Sequence, residues 1–196
     1  MRRILPALLF LSATALAGPL DDGVAAFHEQ NYQLARELWQ PLADEGNPDA
    51  QFNMGLLYAN GLGLAKNYRE ALRWYTQAAR QGHADAQYNV GLMYFQGQGT
   101  FRSNADAVAW WKLAAAKNHL NARFNLGLMH AYGMGTAKDS AAALQEWQAA
   151  AEGGHREAAA TLARVYREGL FDIAPDPMEA ERWQQTADSA NATNHP

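Results

Sequence analysis

A period of 36 residues constrains the fold of this chain more than any other feature. Three copies begin DAQFNMGLLYANGLG at residue 49, DAQYNVGLMYFQGQG at residue 85 and NARFNLGLMHAYGMG at residue 121. A fixed period of this length is typical of stacked supersecondary units, so we predict one domain made of repeats. Small residues coincide in every copy, at Ala50, Ala86 and Ala122, at Gly55, Gly91 and Gly127, and at the pairs 78–79, 114–115 and 150–151.

The repeat continues in weaker form at both ends. Ala35 and Gly46 keep the register upstream, and Ala158 and Gly169 keep it downstream. Atypical terminal copies are expected, because they must cover an otherwise open apolar stack. The predicted boundaries are a partial repeat at 20–48, full repeats at 49–84, 85–120 and 121–156, a degenerate capping repeat at 157–190 and a polar tail at 191–196, all within a single domain at 18–196.

Each unit has the pattern of two helices. Apolar residues at i, i+3 and i+4 spacing predict the first helix, and no segment shows strand-like alternation. Asn67 with Glu70 has the spacing of a capping box, and Asn47-Pro48 and Asp176-Pro177 are also typical helix starts. Glycines end the first helix of each repeat, where a left-handed turn is least costly. We therefore predict an all-α fold of helix-turn-helix units.

The coinciding small residues have a packing explanation. Small side chains let two helices approach closely, so bulk at Gly91 or Ala115 would push a helical hairpin apart. We expect large residues opposite them to fill the space between repeats, namely Trp74, Tyr75, Trp110, Trp111 and Trp147.

The first 17 residues have the layout of a secretory signal peptide. Arg2 and Arg3 precede an apolar run, and a small-x-small site at 15–17 follows it. The run is too short to span a bilayer. The alternative is a buried N-terminal helix. We predict cleavage after Ala17 and a periplasmic or secreted protein.

Charge and cysteine content exclude several functional classes. The formal net charge is −4, and loss of Arg2 and Arg3 would make the chain more acidic. Nucleic acids and anionic membranes favour basic surfaces, so neither is an expected partner. Cysteine is absent, which excludes disulfides, thiolate metal sites, a cysteine nucleophile and a lipid-modified cysteine. No later stretch has the roughly 20 apolar residues of a spanning helix, so we predict no membrane insertion of the mature chain.

These residues resemble the Sel1-like repeats, relatives of the tetratricopeptide repeat. The pattern A-x-x-x-x-G-x-x-Y-x-x-G-x-G followed by A-x-x-W-[YW]-x-x-A-A-x-x-G runs from Ala50 to Gly82 and recurs twice. The resemblance implies a right-handed α-solenoid whose first helices line a concave groove, and an adaptor function in the bacterial envelope or at a host interface. Departures from the pattern are His130 for the tyrosine, Glu146 for the tryptophan and Asn118 for the final glycine.

Three histidines recur in register, at His83, His119 and His155, which suggests a metal site. Neighbouring helices pack about 8–10 Å apart, whereas zinc ligands lie about 2 Å from the ion. Adjacent repeats therefore cannot share one ion without distortion. We predict no metal, and interpret the histidines as loop residues that pack or form hydrogen bonds near a helix start.

The chain offers no catalytic residue or cofactor motif. Gly61-x-Gly63, with its two copies, resembles a phosphate cradle, but each string connects two helices rather than a strand and a helix. We interpret these strings as connectors. Neither G-x-S-x-G nor H-E-x-x-H occurs. We predict no cofactor and no enzyme.

The predicted groove supplies the candidate binding residues. By analogy with tetratricopeptide repeats, they are the aromatic residues Phe52, Tyr88 and Phe124 and the amides Asn53, Asn89 and Asn125. Rings supply contact area and amides hold backbone groups of an extended peptide. The alternative is that the rings form core between repeats and the asparagines satisfy nearby loops. We expect an exported monomer that binds a protein or peptide; the alternative function is a binder or hydrolase of cell-wall polysaccharide.

Overall fold

The computed structural model describes residues 18–192, which form ten helices and no strand. The predicted signal peptide at 1–17 and residues 193–196 of the predicted tail lie outside the described residues. The helices are α1 (Pro19–His28), α2 (Tyr32–Asp44), α3 (Pro48–Asn60), α4 (Tyr68–Arg80), α5 (Ala84–Gln96), α6 (Asn104–Ala115), α7 (Leu120–Tyr132), α8 (Ser140–Glu152), α9 (Arg156–Glu168) and α10 (Pro177–Ala192).

Each helix packs against its neighbours in the chain. Five hairpins result, from α1–α2 to α9–α10, and the second helix of each hairpin packs on the first helix of the next. This arrangement confirms the predicted all-α solenoid of helix-turn-helix repeats. We call α3, α5, α7 and α9 the first helices and α4, α6, α8 and α10 the second helices.

The helices begin and end where the sequence predicts. Asn47 caps α3 by accepting a hydrogen bond from the backbone N–H of Ala50 at 2.9 Å. Asp176 accepts from two backbone N–H groups at the start of α10. The left-handed residue that follows α3, α5 and α7 is glycine each time, with φ of 72° at Gly61, 72° at Gly97 and 65° at Gly133.

The core consists of alanine-rich helix faces and large aromatic side chains. Trp39, Trp111 and Trp147 are among the largest buried side chains, and each is at most 2% exposed. Each indole lies against a glycine on the other helix of its own hairpin, and Tyr75 lies against Gly55 in the same way. The predicted close approach of helices at these glycines is confirmed, and it is made within each hairpin.

The second glycine of each connector lies against the backbone of the preceding repeat. A Cβ at Gly99 would collide with the backbone of Tyr68, and one at Gly135 would collide with the backbone of Asn104. Both glycines have positive φ, at 72° and 71°. The glycine strings are therefore connectors, as predicted, and they bring two repeats together where no side chain fits.

No helix within residues 18–192 combines the length and apolar character that crossing a bilayer requires.

Candidate functional site

The three predicted groove rings are half-buried at the boundaries between repeats. Each ring is stacked on the imidazole that begins the next first helix. Each ring also packs against buried core residues, so the three rings contribute to the contact between repeats. The stacked pairs are Phe52 with His83 at a centroid distance of 4.6 Å, Tyr88 with His119 at 4.5 Å and Phe124 with His155 at 4.9 Å.

The histidine column caps the first helices. In α5, the Nδ1 atom of His83 accepts a hydrogen bond from the backbone N–H of Ala86 at 3.2 Å. His119 and His155 cap α7 and α9 in the same way, at 3.2 and 3.1 Å. Because Nδ1 accepts in all three, the proton of the neutral ring is assigned to Nε2. The interpretation of these histidines as residues that form hydrogen bonds near a helix start is confirmed.

The Nε2 atom of each histidine faces the first turn of the preceding first helix. His83 Nε2 lies 3.4 Å from Asp49 Oδ1, and His119 Nε2 lies 3.2 Å from Asp85 Oδ1. In the third copy, His155 Nε2 lies 2.9 Å from the amide oxygen of Asn121. Each histidine thus connects two repeats through a cap, a ring stack and a polar contact.

Burial governs the titration of two of these rings. It lowers the pKa of His119 below its ordinary value, and the nearby Asp85 carboxylate offsets part of that effect. Burial likewise lowers the pKa of His155, partly offset by Glu157. The folded protein therefore favours the neutral ring that the caps require.

The predicted amides lie beside the rings but do not form one cluster. All three asparagines are half-buried on the first helices, one repeat apart. Asn125 is hydrogen-bonded to the hydroxyl of Tyr88, which belongs to the preceding repeat. Burial raises the pKa of Tyr88, and this hydrogen bond offsets part of the rise. Amide and ring therefore meet across a repeat boundary rather than within one copy.

A row of leucines belongs to the same surface and was not among the predicted binding residues. Leu56, Leu92 and Leu128 follow the asparagines by three residues, which places both sets on one side of their helices. All three leucines are half-buried, whereas the apolar residues that fill the core are buried. Their recurrence every 36 residues could have identified them from sequence. We call the surface made by these asparagines and leucines the first-helix face.

The repeat at 121–156 has an ion pair, Arg123 with Glu146, at the two positions where the preceding repeat has Gln87 and Trp110. Gln87 is buried and donates to the backbone oxygen of Ala79 at 3.0 Å. Arg123 stands at the same position one repeat later, and its Nη1 atom lies 3.1 Å from Glu146 Oε2. Arg123 also donates to Asn118, which has φ of 61° where other repeats have glycine. Two departures from the repeat pattern, Glu146 and Asn118, are thus partners of one arginine.

A cavity of about 200 Å³ opens between α5 and α7. We call it the α5–α7 pocket, and nearly all of its lining surface is apolar. The buried Trp111 is one of the lining residues, and its indole N–H already donates to the backbone oxygen of Tyr88 at 3.1 Å. The lining includes Tyr88, Leu92, Phe95, Trp111, Asn125 and Leu128, so the predicted residues Tyr88 and Asn125 share it.

Within residues 18–192, no three side chains of the metal-binding types His, Cys, Asp and Glu are grouped closely enough to hold an ion.

Comparison with known protein families and structures gives a consistent result. The family described as Sel1 repeat matches five consecutive segments of the chain. No curated protein matches the chain significantly. The matched segments are 12–47, 48–83, 84–119, 120–155 and 156–187.

Two solved structures share this architecture. One is a Sel1 repeat protein from Oxalobacter formigenes, with 33% sequence identity and a TM-score of 0.82; the alignment covers 91% of this chain and 70% of that protein. The other is c5321, a protective antigen of uropathogenic Escherichia coli strains that displays an SLR fold, with 26% identity and a TM-score of 0.81. The alignment covers 89% of this chain but only 39% of c5321.

Proposed function

Since this chain belongs to the Sel1 repeat family, we propose that it is an exported scaffold that holds an extended segment of a protein partner on its first-helix face. Sel1 repeats generally mediate protein–protein interactions and are typically not catalytic. The proposal adds the location, the surface and the form of the partner.

The observation that supports the surface is the pairing of amides with leucines along successive first helices. Asn53 and Leu56 recur as Asn89 and Leu92 in the next repeat, and all four are half-buried. Amides suit the backbone groups of an extended peptide, and the leucines supply apolar contact between them. A repeated chemistry at one-repeat intervals suits a ligand that runs along the stack rather than one that occupies a single point.

Export is proposed from the sequence of residues 1–17, with a site of action in the bacterial envelope or at a host interface. Fractionation of cells that express the full chain tests this part. We expect a processed protein that starts at Gly18 in the periplasm or medium. An unprocessed protein in the cytoplasm would contradict it.

The binding experiment must alter the face without loosening the repeats. Truncation of Phe52, Tyr88 or Phe124 would remove a ring that stacks on a capping histidine, so it would confound binding with stability. The variant Asn89→Ala/Leu92→Ala removes half-exposed side chains instead. The matched control is Leu113→Ala, which truncates a 50% exposed leucine on the second helix α6.

Each variant is immobilised and exposed to periplasmic extract, and captured proteins are identified by mass spectrometry. We expect wild type and Leu113→Ala to retain a discrete protein that Asn89→Ala/Leu92→Ala loses, with equal thermal stability of the three proteins. Capture of the same proteins by both variants would overturn the assignment of the face. Affinity for purified cell-wall glycan without any captured protein would support a polysaccharide-associated function instead.

A further inference from the structure

The α5–α7 pocket is the right size for one side chain. Its volume is about 200 Å³, below the roughly 300 Å³ at which pockets begin to enclose drug-sized ligands. Apolar cavities of about 150 Å³ accommodate a benzene ring. A leucine or phenylalanine side chain therefore matches this space, whereas a cofactor does not.

Water is a poor occupant of the pocket. A retained water needs two or more polar partners. The lining of the pocket is almost entirely apolar, and its polar side chains are Tyr88, Asn125 and Trp111. The indole N–H of Trp111 is already satisfied by the backbone oxygen of Tyr88, so a water inside the pocket would gain few hydrogen bonds. Displacement of such water by an apolar group favours binding.

A cation lies beside Phe95 in the wall of the pocket. The guanidinium carbon of Arg102 lies 5.4 Å from the ring centroid of Phe95, which lines the pocket. Arg102 is exposed, and no carboxylate within residues 18–192 forms an ion pair with it. The chain as a whole has a net charge of −4, so this is a local positive site on an acidic protein. Its charge complements a carboxylate on the occupant.

We propose that the α5–α7 pocket receives one leucine- or phenylalanine-sized side chain of the partner segment, with an acidic residue of that segment facing Arg102. The proposal rests on the proposed function and adds an anchor to it. A few side chains buried in well-packed pockets carry most of the energy of a protein interface, and the rest of the face then supplies weaker contacts.

The test uses the full chain with ¹³C-labelled methionine methyl groups. Met129 and Met134 line the pocket, whereas Met93 occupies the position of Met129 in the preceding repeat and serves as an internal reference. The probe is the synthetic peptide acetyl-Gly-Ser-Asp-Phe-Gly-Ser-amide. Two further peptides replace its phenylalanine by alanine or its aspartate by asparagine.

We expect the probe to shift the methyl signals of Met129 and Met134 but not of Met93, with a dissociation constant at least about tenfold weaker for the alanine peptide. Leu128→Trp fills the pocket and abolishes the shifts. Leu56→Trp, the same change two repeats earlier, leaves them intact. Arg102→Gln weakens binding of the aspartate peptide several-fold and leaves binding of the asparagine peptide unchanged. Lys66→Gln, at the position of Arg102 in the preceding repeat, changes the affinity for neither peptide.

Absence of shifts at millimolar peptide would overturn the proposal, and so would equal effects of Leu128→Trp and Leu56→Trp. A concentration-dependent dimer that Leu128→Trp abolishes would assign the pocket to a second copy of this chain and also overturn it. The partner-capture experiment separates the two proposals. A partner that Leu128→Trp retains but Asn89→Ala/Leu92→Ala loses leaves the face valid and removes the anchor.

Discussion

The indole N–H of Trp111 donates to the backbone oxygen of Tyr88 at 3.1 Å, directly over Gly91. A Cβ at position 91 would lie 2.5 Å from the indole nitrogen, so only glycine admits the ring. Trp147 repeats the arrangement over Gly127, with its indole N–H donating to Phe124 at 3.2 Å. In one contact the glycine permits helix approach, the tryptophan fills the hairpin and a buried donor is satisfied.

Gly91→Leu should lower the free energy of unfolding by more than about 2 kcal/mol, because the added side chain displaces the Trp111 ring and breaks its hydrogen bond. Leucine is a better helix former than glycine, so the loss reports packing rather than helix propensity. Urea denaturation measures it. Ala109→Leu, at an exposed position of the same hairpin, is the control and should change stability little. Equal stability of the two variants would contradict the packing role of Gly91.

Two glycines in one connector separate backbone strain from the contact between repeats. Gly133 and Gly135 both have positive φ. A Cβ at Gly133 would lie 3.3 Å from the backbone nitrogen and the Cβ of Lys138, in the same connector. A Cβ at Gly135 would collide with the backbone of Asn104 in the preceding repeat. Gly133→Ala should lower the free energy of unfolding by about 1 kcal/mol, because alanine is strained at positive φ. Gly135→Ala should lower it by at least about 1 kcal/mol more, because the added Cβ also meets the backbone of the preceding repeat. Chemical denaturation checks the difference; equal costs would mean that the repeats do not depend on this close approach.

The histidine caps predict a loss of stability in acid. Burial lowers the folded-state pKa of His119 below its ordinary value of 6.5. As the pH falls past 6.5, the unfolded chain therefore binds more protons than the folded chain. The contribution of this ring is complete above pH 6.5 and is lost as the pH falls through the folded pKa. Protonation also places a hydrogen on Nδ1, which can then no longer accept from Ala122.

His119→Asn tests this account, because Asn47 is the natural cap at the same position of an earlier repeat. Urea midpoints at pH 7.5 and pH 5.0 should differ less for His119→Asn than for wild type. His119→Ala removes the cap itself and should cost about 1 kcal/mol already at pH 7.5. Parallel pH profiles for wild type and His119→Asn would show that this histidine does not sense pH.

Arg123 and Glu146 should be energetically coupled. Their side chains are only 21% and 24% exposed, so the pair is less screened than one at the surface. The preceding repeat has Gln87 and Trp110 at these positions. Arg123→Gln and Glu146→Trp should each lower the free energy of unfolding. The loss in the double variant should be about 0.5–1 kcal/mol smaller than the sum of the two single losses. A double-mutant cycle by urea denaturation measures this term, and additive costs would exclude the coupling.

The 36-residue period was sufficient to predict the helices, their caps and the connectors, because these depend on local rules applied at matched positions. It also predicted that Gly91 would lie at a close helix approach. The sequence could not decide whether Tyr88 faces a ligand or the core. The structure gives this residue both environments: one ring face covers His119, while the residue also lines the α5–α7 pocket.

What the period concealed lies in the differences between copies. Arg123 and Glu146 looked like two unrelated departures, because the ion pair forms only once the hairpin brings positions 23 residues apart together. The degenerate repeat is similar: Ala163 stands in α9 where α3, α5 and α7 have glycine. Such effects depend on side-chain geometry between helices, which periodicity does not specify.

Site-specific photo-crosslinking tests the central claim most directly. A benzophenone side chain placed at Leu92 lies on the first-helix face, and one placed at Leu113 lies on the second helix of the same repeat. After irradiation in periplasmic extract, we predict a discrete adduct with one partner protein from position 92 and none from position 113. Equal adducts from both positions, or an adduct from position 113 alone, would contradict a partner bound along the first helices.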